Sequence, residues 1–317
     1  MHIDNLWPIF AEGSMMMKTH SDSLPLITLN IGALISDFLQ LTKFRLAVSV
    51  VFSSVAGYLL AADQIQIQVL LGLFFGGFAM VGASNAFNQW IEKDRDALMI
   101  RTKNRPLPAG RMNNLTAVII ASVLTILGII ILQYINYKTA LFGALSIFIY
   151  TCIYTPLKTL TPLAVFVGAF PGAIPFMLGW VAATGSFGIE PGILFMVQFF
   201  WQFPHFWAIG WMMDEDYKKA GFKMLPTGNP DRATAFQIVF YTLWTIIISI
   251  LPYTRYSGEL SLSLSAVVAL IIIGGYFLFF ALKLMQRKTK EAARKLMYAS
   301  IAYISLLQII YVLDKWI

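Results

Sequence analysis

Long apolar stretches separated by short charged segments dominate this chain. A helix that crosses a membrane needs about 20 mostly apolar residues, and nine stretches approach or exceed that length. They show no regular alternation of the kind that marks the strands of a membrane barrel. The nine predicted helices are residues 38–61, 68–91, 115–135, 139–155, 162–183, 191–213, 234–252, 262–283 and 296–313. The pattern predicts an all-α integral membrane protein.

The distribution of positive charge orients these predicted helices. Cytoplasmic loops of membrane proteins carry an excess of Lys and Arg. With a cytoplasmic N-terminus, only Lys138, Arg255 and Lys315 of the 23 Lys and Arg residues fall on the outer side. One helix more or fewer would reverse the alternation beyond it and lose this separation. We therefore expect residues 1–34 to form a cytoplasmic tail and 35–317 a single transmembrane domain whose C-terminus lies outside.

Composition agrees with a membrane protein and excludes some kinds of site. The 317 residues are 58% hydrophobic and only 12% charged, whereas roughly a quarter of a soluble domain is charged. Cys152 is the single cysteine, which excludes an internal disulfide and a cysteine-based metal site. The first 30 residues resemble neither a secretory signal nor an organelle transit peptide. A bacterial inner membrane is the predicted location, and no nucleic-acid partner is expected.

An acidic face ends the second predicted helix. Asn88, Glu92 and Asp96 follow one another at intervals of four, which stacks them on one side of a helix. Carboxylate and amide oxygens suit Mg²⁺, which keeps several waters and is often shared with substrate phosphates. Cations that suit diphosphate oxygens follow within a few positions: Arg101, Lys103 and Arg105.

A second acidic cluster closes the sixth predicted helix, on the same predicted side of the membrane. It contains Asp214, Glu215 and Asp216 and is followed by several lysines. Two such clusters facing a shared central cavity would each bind a Mg²⁺ and clamp a diphosphate between them. The alternative is a solvated interface in which acids and bases screen one another. The excess of cations on the inside explains the basic loops, but not acidic clusters at both helix ends.

These segments resemble the UbiA superfamily of membrane prenyltransferases. "NQWIEKDRD" at 88–96 is similar to its N-x-x-x-D-x-x-x-D motif, with Glu92 in place of the first Asp, and 214–216 resembles its second acidic motif. Further segments resemble the branch of the superfamily that farnesylates heme. They are "LTKFR" at 41–45, "RTKNRPLP" at 101–108, "YTPLK" at 154–158, "GAFPGAIPFMLGW" at 168–180, "PHFWA" at 204–208 and "DYKKAGFKMLP" at 216–226.

The chain departs from that pattern at two places. Phe44 stands where "LTKPR" usually has proline, and Met212 and Met213 stand where basic residues commonly precede the second acidic cluster. Any diphosphate contact that those basic residues make in relatives is missing or replaced here.

The resemblance implies transfer of a farnesyl group from farnesyl diphosphate to a vinyl group of heme b. Water adds in the same reaction, which gives heme O for terminal oxidases and releases diphosphate. It implies one Mg²⁺ at Asn88, Glu92 and Asp96, and another at Asp216 with Asp214. The residues it implies for diphosphate are Arg101, Lys103, Arg105, Lys158 and Tyr154. Lys158 could equally be the cation of a short inner loop, and Tyr154 an interface residue. The implied partners are membrane lipid and, beyond the two substrates, heme A synthase or oxidase assembly proteins.

Three features of the helices bear on an acceptor site. The aromatic run 199–207 could shield an allylic carbocation, although membrane aromatics mostly pack or anchor at the interface. His205 is an ionisable residue inside a predicted membrane helix, where such residues are functional by default. It could contact heme, ligate its iron or bond a neighbouring backbone. The glycines and prolines at 168–179 are expected to break or kink their helix and line a cavity.

Three other functions compete with this one. A UbiA-type enzyme with a quinone precursor or another aromatic acceptor would share the diphosphate half of the site. An ion-coupled transporter would keep acidic residues near the bilayer midplane, whereas these clusters sit at helix ends. A purely structural assembly protein would tolerate replacement of Asp96.

Overall fold

Helices make up all of the regular structure in residues 31–317, the part of the chain that the computed structural model describes. They are α1 (Ile31–Leu41), α2 (Phe44–Ala61), α3 (Ile67–Asp96), α4 (Asn114–Ile135), α5 (Tyr137–Phe148), α6 (Thr155–Leu157), α7 (Ala164–Thr184), α8 (Ile189–Met212), α9 (Asp214–Lys219), α10 (Arg232–Ser249), α11 (Leu264–Arg287) and α12 (Lys290–Trp316). A π-helical segment, Ile149–Tyr154, joins α5 to α6, and a 3₁₀ turn, Leu251–Tyr253, follows α10. Residues 1–30 of the predicted tail lie outside the described residues.

Eight helical segments of the described chain are long and apolar enough to cross a membrane. The joined segment Tyr137–Leu157 is one of them. Helix α8, with 24 residues, is as long as most of the eight but falls outside that set, since Gln198, Gln202 and His205 make it less apolar. The all-helical membrane class is therefore confirmed, while the count of nine and the orientation of the termini stay predictions.

The first predicted helix, 38–61, is wrong as a single element. Lys43 has φ 49° and ψ 55°, a left-handed conformation that a right-handed helix cannot continue. The backbone turns there, so that α1 ends at Leu41 and α2 starts at Phe44. The acidic residues 214–216 likewise form the separate short helix α9 instead of closing α8.

Helix α7 is continuous, so of the break or kink expected at 168–179 the break is wrong. Pro175 lines an apolar cavity, as expected. Pro175 lacks the N–H that would bond the carbonyl of Pro171, and Ser146 of α5 donates to that carbonyl at 3.3 Å instead. Gln202 of α8 donates to the carbonyl of Ala169 at 2.9 Å. Side chains of neighbouring helices thus satisfy backbone groups near the prolines, as a membrane interior requires.

Two glycines allow α2 and α7 to touch through their backbones. A Cβ at Gly57 would collide with the carbonyl of Phe176, and a Cβ at Gly179 would collide with that of Ser54. Small residues at such crossings let membrane helices approach closely. Helix α7 is thereby held between α2 and α8 and carries many of the fully buried residues of the core.

Polar contacts close the end of the bundle that is opposite to the acidic clusters. Lys138 at the start of α5 donates to the carbonyl of Gly185 at 2.6 Å, and Lys315 near the end of α12 donates to that of Leu60 at 2.7 Å. These are two of the three cations assigned to the outer side. The acidic end of α3 and the acidic helix α9 therefore lie at the other end of the bundle.

We predict that Gly179→Ala lowers the thermal unfolding temperature of the protein in detergent. Its methyl group must displace backbone atoms, and overpacking of this kind costs about 1–3 kcal/mol. Gly275→Ala on α11 is the matched control, because no atom lies within 4 Å of its added Cβ. Equal unfolding temperatures for the two variants would show that the α2–α7 contact is looser than described.

Candidate active site

One side of the last turns of α3 is buried although it is polar. Asn88, Glu92 and Asp96 are 1%, 5% and 1% exposed. Their spacing places them on one face, as the sequence predicted. Two carboxylates at this depth are stable only when cations or hydrogen-bond donors compensate them. Such groups arrive from three other segments of the chain.

Lys158, at the C-terminus of α6, compensates Glu92. Its Nζ lies 2.8 Å from Glu92 Oε1, and Lys158 is itself only 8% exposed. Burial opposes its charge, but the Glu92 carboxylate more than offsets this and holds the pKa of Lys158 above its ordinary value. Lys158 therefore forms a buried ion pair with Glu92 at the end of α3. The π-helical segment before it carries Tyr154, whose ring centroid lies 4.5 Å from Nζ.

Asp96 receives its counterion from the loop that follows α3. Arg105 Nη1 lies 2.6 Å from Asp96 Oδ2, and Thr102 Oγ1 donates to the Asp96 carbonyl at 2.8 Å. These contacts fold the loop between α3 and α4, residues 97–113, back over the end of α3. This segment is the basic loop. Asp96 Oδ1 is buried and has no hydrogen-bond partner. An acceptor oxygen in that state is suited to a cation that the protein does not itself supply.

Lys43 is a member of the site that the sequence did not identify. It lies in the corner between α1 and α2, where it experiences the charges of Glu92, Asp96, Arg105 and Lys158. Burial and the positive charges of Arg105 and Lys158 lower the pKa of Lys43 to about 7, although Glu92 and Asp96 oppose this. The segment "LTKFR" marked the position, and the left-handed backbone of Lys43 forms the turn between α1 and α2.

The second acidic cluster meets the basic loop directly. The backbone N–H of Arg101 donates to Asp216 Oδ2 at 3.4 Å, and its guanidinium donates to the Tyr217 hydroxyl at 3.3 Å. Arg95 at the end of α3 donates to the carbonyl of Ala220 at 2.7 Å. The ends of α3 and α8 therefore converge at one end of the bundle. Asp214 is nearby in sequence but is paired with its own helix at 2.8 Å, through Lys218.

The oxygen donors at the end of α3 fit a magnesium ion that is also bound by water and phosphate, and do not form a metal site made of protein ligands alone. No three His, Cys, Asp or Glu side chains in residues 31–317 cluster closely enough to hold a metal ion. Glu92, Asp96 and the amide oxygen of Asn88 would supply oxygen ligands on one side. The Asn88 oxygen is available because Asn88 uses its Nδ2 to donate to Thr155 Oγ1 at 3.1 Å. Mg²⁺ commonly fills such a partial set with water and phosphate oxygens.

An apolar cavity begins one turn before Asn88. It has a volume of about 50 Å³ and lies between α2, α3, α5 and α7. Its walls run along α3 from Leu73 to Ser84, about 16 Å at 1.5 Å per residue. A polar head at Asn88 and an apolar tail in this cavity would belong to one amphipathic molecule.

Comparison with known proteins places this geometry in a family. The model of the "UbiA prenyltransferase family" matches residues 50–307. The chain belongs to the UbiA prenyltransferase family.

Relatives within the UbiA family are similar over almost their whole length. The chain is 62% identical to a protoheme IX farnesyltransferase of Christiangramia forsetii over 286 residues, which are 90% of this chain and 95% of that protein. It is 59% identical to a protoheme IX farnesyltransferase of Flavobacterium johnsoniae, over 92% of this chain and 98% of that protein.

Solved UbiA-type structures share the fold at much lower identity. A digeranylgeranylglyceryl phosphate synthase matches with a TM-score of 0.73 and 20% identity, over 89% of this chain and 98% of that one. A UbiA homolog from Archaeoglobus fulgidus, bound to DMAPP and Mg²⁺, matches with a TM-score of 0.61 and 16% identity, over 85% of this chain and 99% of that one. The all-helical UbiA fold predicted from the resemblance is therefore confirmed.

Some residues singled out in the sequence lie outside the region where the end of α3, the basic loop and α9 meet. His205 Nδ1 is 2.8 Å from Ser300 Oγ of α12, and its ring stacks on Trp201 at 4.7 Å. Phe203 packs against Tyr241 of α10 at 4.4 Å, so that part of the aromatic run is packing. None of the run 199–207 lines the cavity next to Asn88. Lys103 lies exposed in the basic loop.

The aromatic faces nearest the site belong instead to the π-helical segment. Tyr150 and Tyr154 pack with ring centroids 5.1 Å apart, and Tyr154 already faces the ammonium of Lys158. The sequence analysis named Tyr154 from its motif and missed Tyr150. A π-helical turn is frequent at functional sites but leaves no clear mark in the sequence.

We predict that Lys158→Met destabilises the protein by roughly 3–5 kcal/mol, because it leaves the buried Glu92 carboxylate without a counterion. The double variant Glu92→Gln/Lys158→Met should recover most of that loss, since neither charge remains. Thermal unfolding in detergent measures both. A Lys158→Met protein as stable as the wild type would contradict the buried pair.

Proposed function

We propose that this protein transfers the farnesyl group of farnesyl diphosphate to a vinyl group of heme b, giving heme O and diphosphate. The observation that carries the proposal is 62% identity, over 90% of the chain, to a protein named protoheme IX farnesyltransferase. The geometry supports its first half, because buried carboxylates and cations converge beside an apolar cavity. The assignment of heme b as the acceptor is supported by the relatives alone.

The reaction begins when the allylic C–O bond breaks and its electron pair leaves with the diphosphate. Bound at Asn88, Glu92 and Asp96, with Asp216 opposite, Mg²⁺ would neutralise charge on the leaving group. Arg105 and Lys158 exchange their carboxylate partners for diphosphate oxygens, and Arg101 and Lys103 approach from the loop. Placed at the positions where charge develops, such groups lower the barrier electrostatically.

The farnesyl cation then needs protection from water until the acceptor reacts. The farnesyl chain would lie along the apolar cavity between α2, α3, α5 and α7, which must widen to hold it. The faces of Tyr150 and Tyr154 would stabilise positive charge near its head. A vinyl carbon of heme b forms the new C–C bond with C1 of farnesyl. Water then adds to the resulting heme-derived cation and loses a proton, which leaves the hydroxyl of heme O.

We place the site at the cytoplasmic face of a bacterial inner membrane. The support for this placement is that the described basic loops lie at the acidic end of the bundle, since cytoplasmic loops carry an excess of Lys and Arg. This orientation agrees with the soluble diphosphate substrate and product reaching the site from the cytoplasm.

The direct test is an assay with purified protein, heme b and farnesyl diphosphate, read by the mass of the product. We expect a heavier heme in the presence of Mg²⁺ and none after chelation. Asp96→Asn should lower kcat roughly 10²–10³-fold, the loss typical when one preorganised electrostatic group is removed. Asp94→Asn is the matched control, because Asp94 is exposed on the other side of α3.

Two results would redirect the proposal. Prenylation of an aromatic quinone precursor without any heme product would assign the second candidate acceptor. Full activity of Asp96→Asn would remove the acidic face of α3 from the reaction.

Filling the cavity should change the preferred chain length. Gly77 lines it at the middle of α3, and Gly77→Leu would shorten the space for the tail. We expect KM to rise more for farnesyl diphosphate than for geranyl diphosphate, whose chain is five carbons shorter. Gly275→Leu, on α11 away from the cavity, is the control. A parallel change in both KM values would place the tail elsewhere.

A further inference from the structure

Helix α1 is amphipathic but contacts the bundle over a small area. Ile31, Leu34, Ile35 and Phe38 recur at helical spacing on one side and are 68%, 53%, 55% and 38% exposed. Asp37 and Leu41 are the buried residues of the helix. No described segment of the chain covers the apolar side. A stripe of this size exposed to water would be unusual in a folded protein.

The position of this stripe identifies what covers it. Helix α1 ends at Leu41, and the membrane-spanning helix α2 starts at Phe44. Leu46 and Val48, in the first turns of α2, are both 47% exposed and belong to its lipid-facing surface. The apolar side of α1 is therefore adjacent in the chain to a surface that lipid already covers. A short amphipathic helix at this depth lies in the plane of the interface.

The side of α1 that carries Asp37 is hydrogen-bonded to segments of the candidate active site. Arg111, which ends the basic loop, has its Nε 2.9 Å from Asp37 Oδ1 and also donates to the carbonyl of Asn104 at 3.1 Å. Gln89 donates to the carbonyls of Gln40 and Leu41 at 3.0 and 2.7 Å. These carbonyls end a helix and have no partner within it.

Each residue in these contacts between α1 and the rest of the protein lies close in sequence to a site residue. Gln89 directly follows Asn88 on α3, Arg111 ends the loop that carries Arg105, and Leu41 precedes Lys43 by two residues. The placement of α1 therefore helps to set the position of Lys43 and of the basic loop.

We infer that α1 is a membrane-surface helix whose apolar side lies among the lipid headgroups and upper acyl chains of the cytoplasmic leaflet, and that this docking holds the basic loop in position over the end of α3. The coupling rests on the proposed function, whereas the docking does not. Ile31, Leu34, Ile35 and Phe38 contact lipid, and Ser36 and Gln40 face water.

The docking is tested with full-length protein in lipid nanodiscs. Cys152 is first replaced by serine, and single cysteines at Leu34, Ile35 or Ser36 carry a fluorophore. We expect a lipid with a nitroxide high on its acyl chain to quench the labels at Leu34 and Ile35, and aqueous iodide to quench the label at Ser36. Iodide quenching at all three positions would overturn the inference. Quenching by neither agent, with energy transfer between labelled copies, would show that a second copy covers α1 and would also overturn it.

The coupling is tested with Leu34→Glu/Ile35→Glu in the same nanodiscs. We expect KM for farnesyl diphosphate to rise several-fold while the thermal unfolding temperature changes little. Ser36→Glu on the polar side is the matched control and should leave KM unchanged. An unchanged KM in the double variant would overturn the coupling. Absence of farnesyl transfer in the wild-type protein would instead refute the proposed function and leave the quenching result intact.

Discussion

Burial of two carboxylates at the end of one membrane helix is the constraint on which the site depends. Glu92 and Asp96 lie on the inward side of α3 and are almost inaccessible. A buried charge without a counterion is strongly destabilising. Lys158 and Arg105, at 2.8 and 2.6 Å, supply counterions from two different segments. The need for charge compensation therefore brings the loop after α3 and the end of the α5–α6 segment together over one helix end.

Under the proposed function, the same arrangement binds diphosphate because the charges of its carboxylates are compensated only in part. Asp96 Oδ1 has no hydrogen-bond partner, and in the proposed reaction each cation exchanges its carboxylate for a diphosphate oxygen. The second acidic cluster approaches from α9 and contacts the basic loop through Asp216. Helix packing elsewhere, such as the backbone contact of α2 with α7 at Gly57 and Gly179, fixes the frame on which these groups are held.

Much of this was readable in the sequence, because lipid permits few structures. Helix positions, the all-helical class and the acidic face at Asn88, Glu92 and Asp96 followed from hydropathy and spacing. The family followed from motifs in order along the chain. The left-handed turn at Lys43 and the continuity of α7 through Pro171 and Pro175 did not. The former is a backbone choice set by contacts with α3, and the latter depends on donors, such as Ser146 and Gln202, that come from other helices.

The roles that were hardest to predict from the sequence are those of side chains that act through residues of other helices. Lys158 could be an inner-loop cation until its 2.8 Å contact with Glu92 is known. The aromatic run 199–207 has a suitable composition for a cation pocket, but Phe203 packs on Tyr241 while Tyr150 and Tyr154 face the site. In a membrane helix both sides are apolar, so that periodicity does not tell which ring faces the cavity.

The most direct measurement of the central claim is an experimental structure with Mg²⁺ and a farnesyl diphosphate analogue that cannot ionise. Our account predicts the diphosphate between the acidic face of α3 and Asp216, within hydrogen-bond distance of Arg105 and Lys158, with its tail in the cavity beside Ser84. A diphosphate bound away from Glu92 and Asp96, with their ion pairs to Lys158 and Arg105 intact, would contradict it.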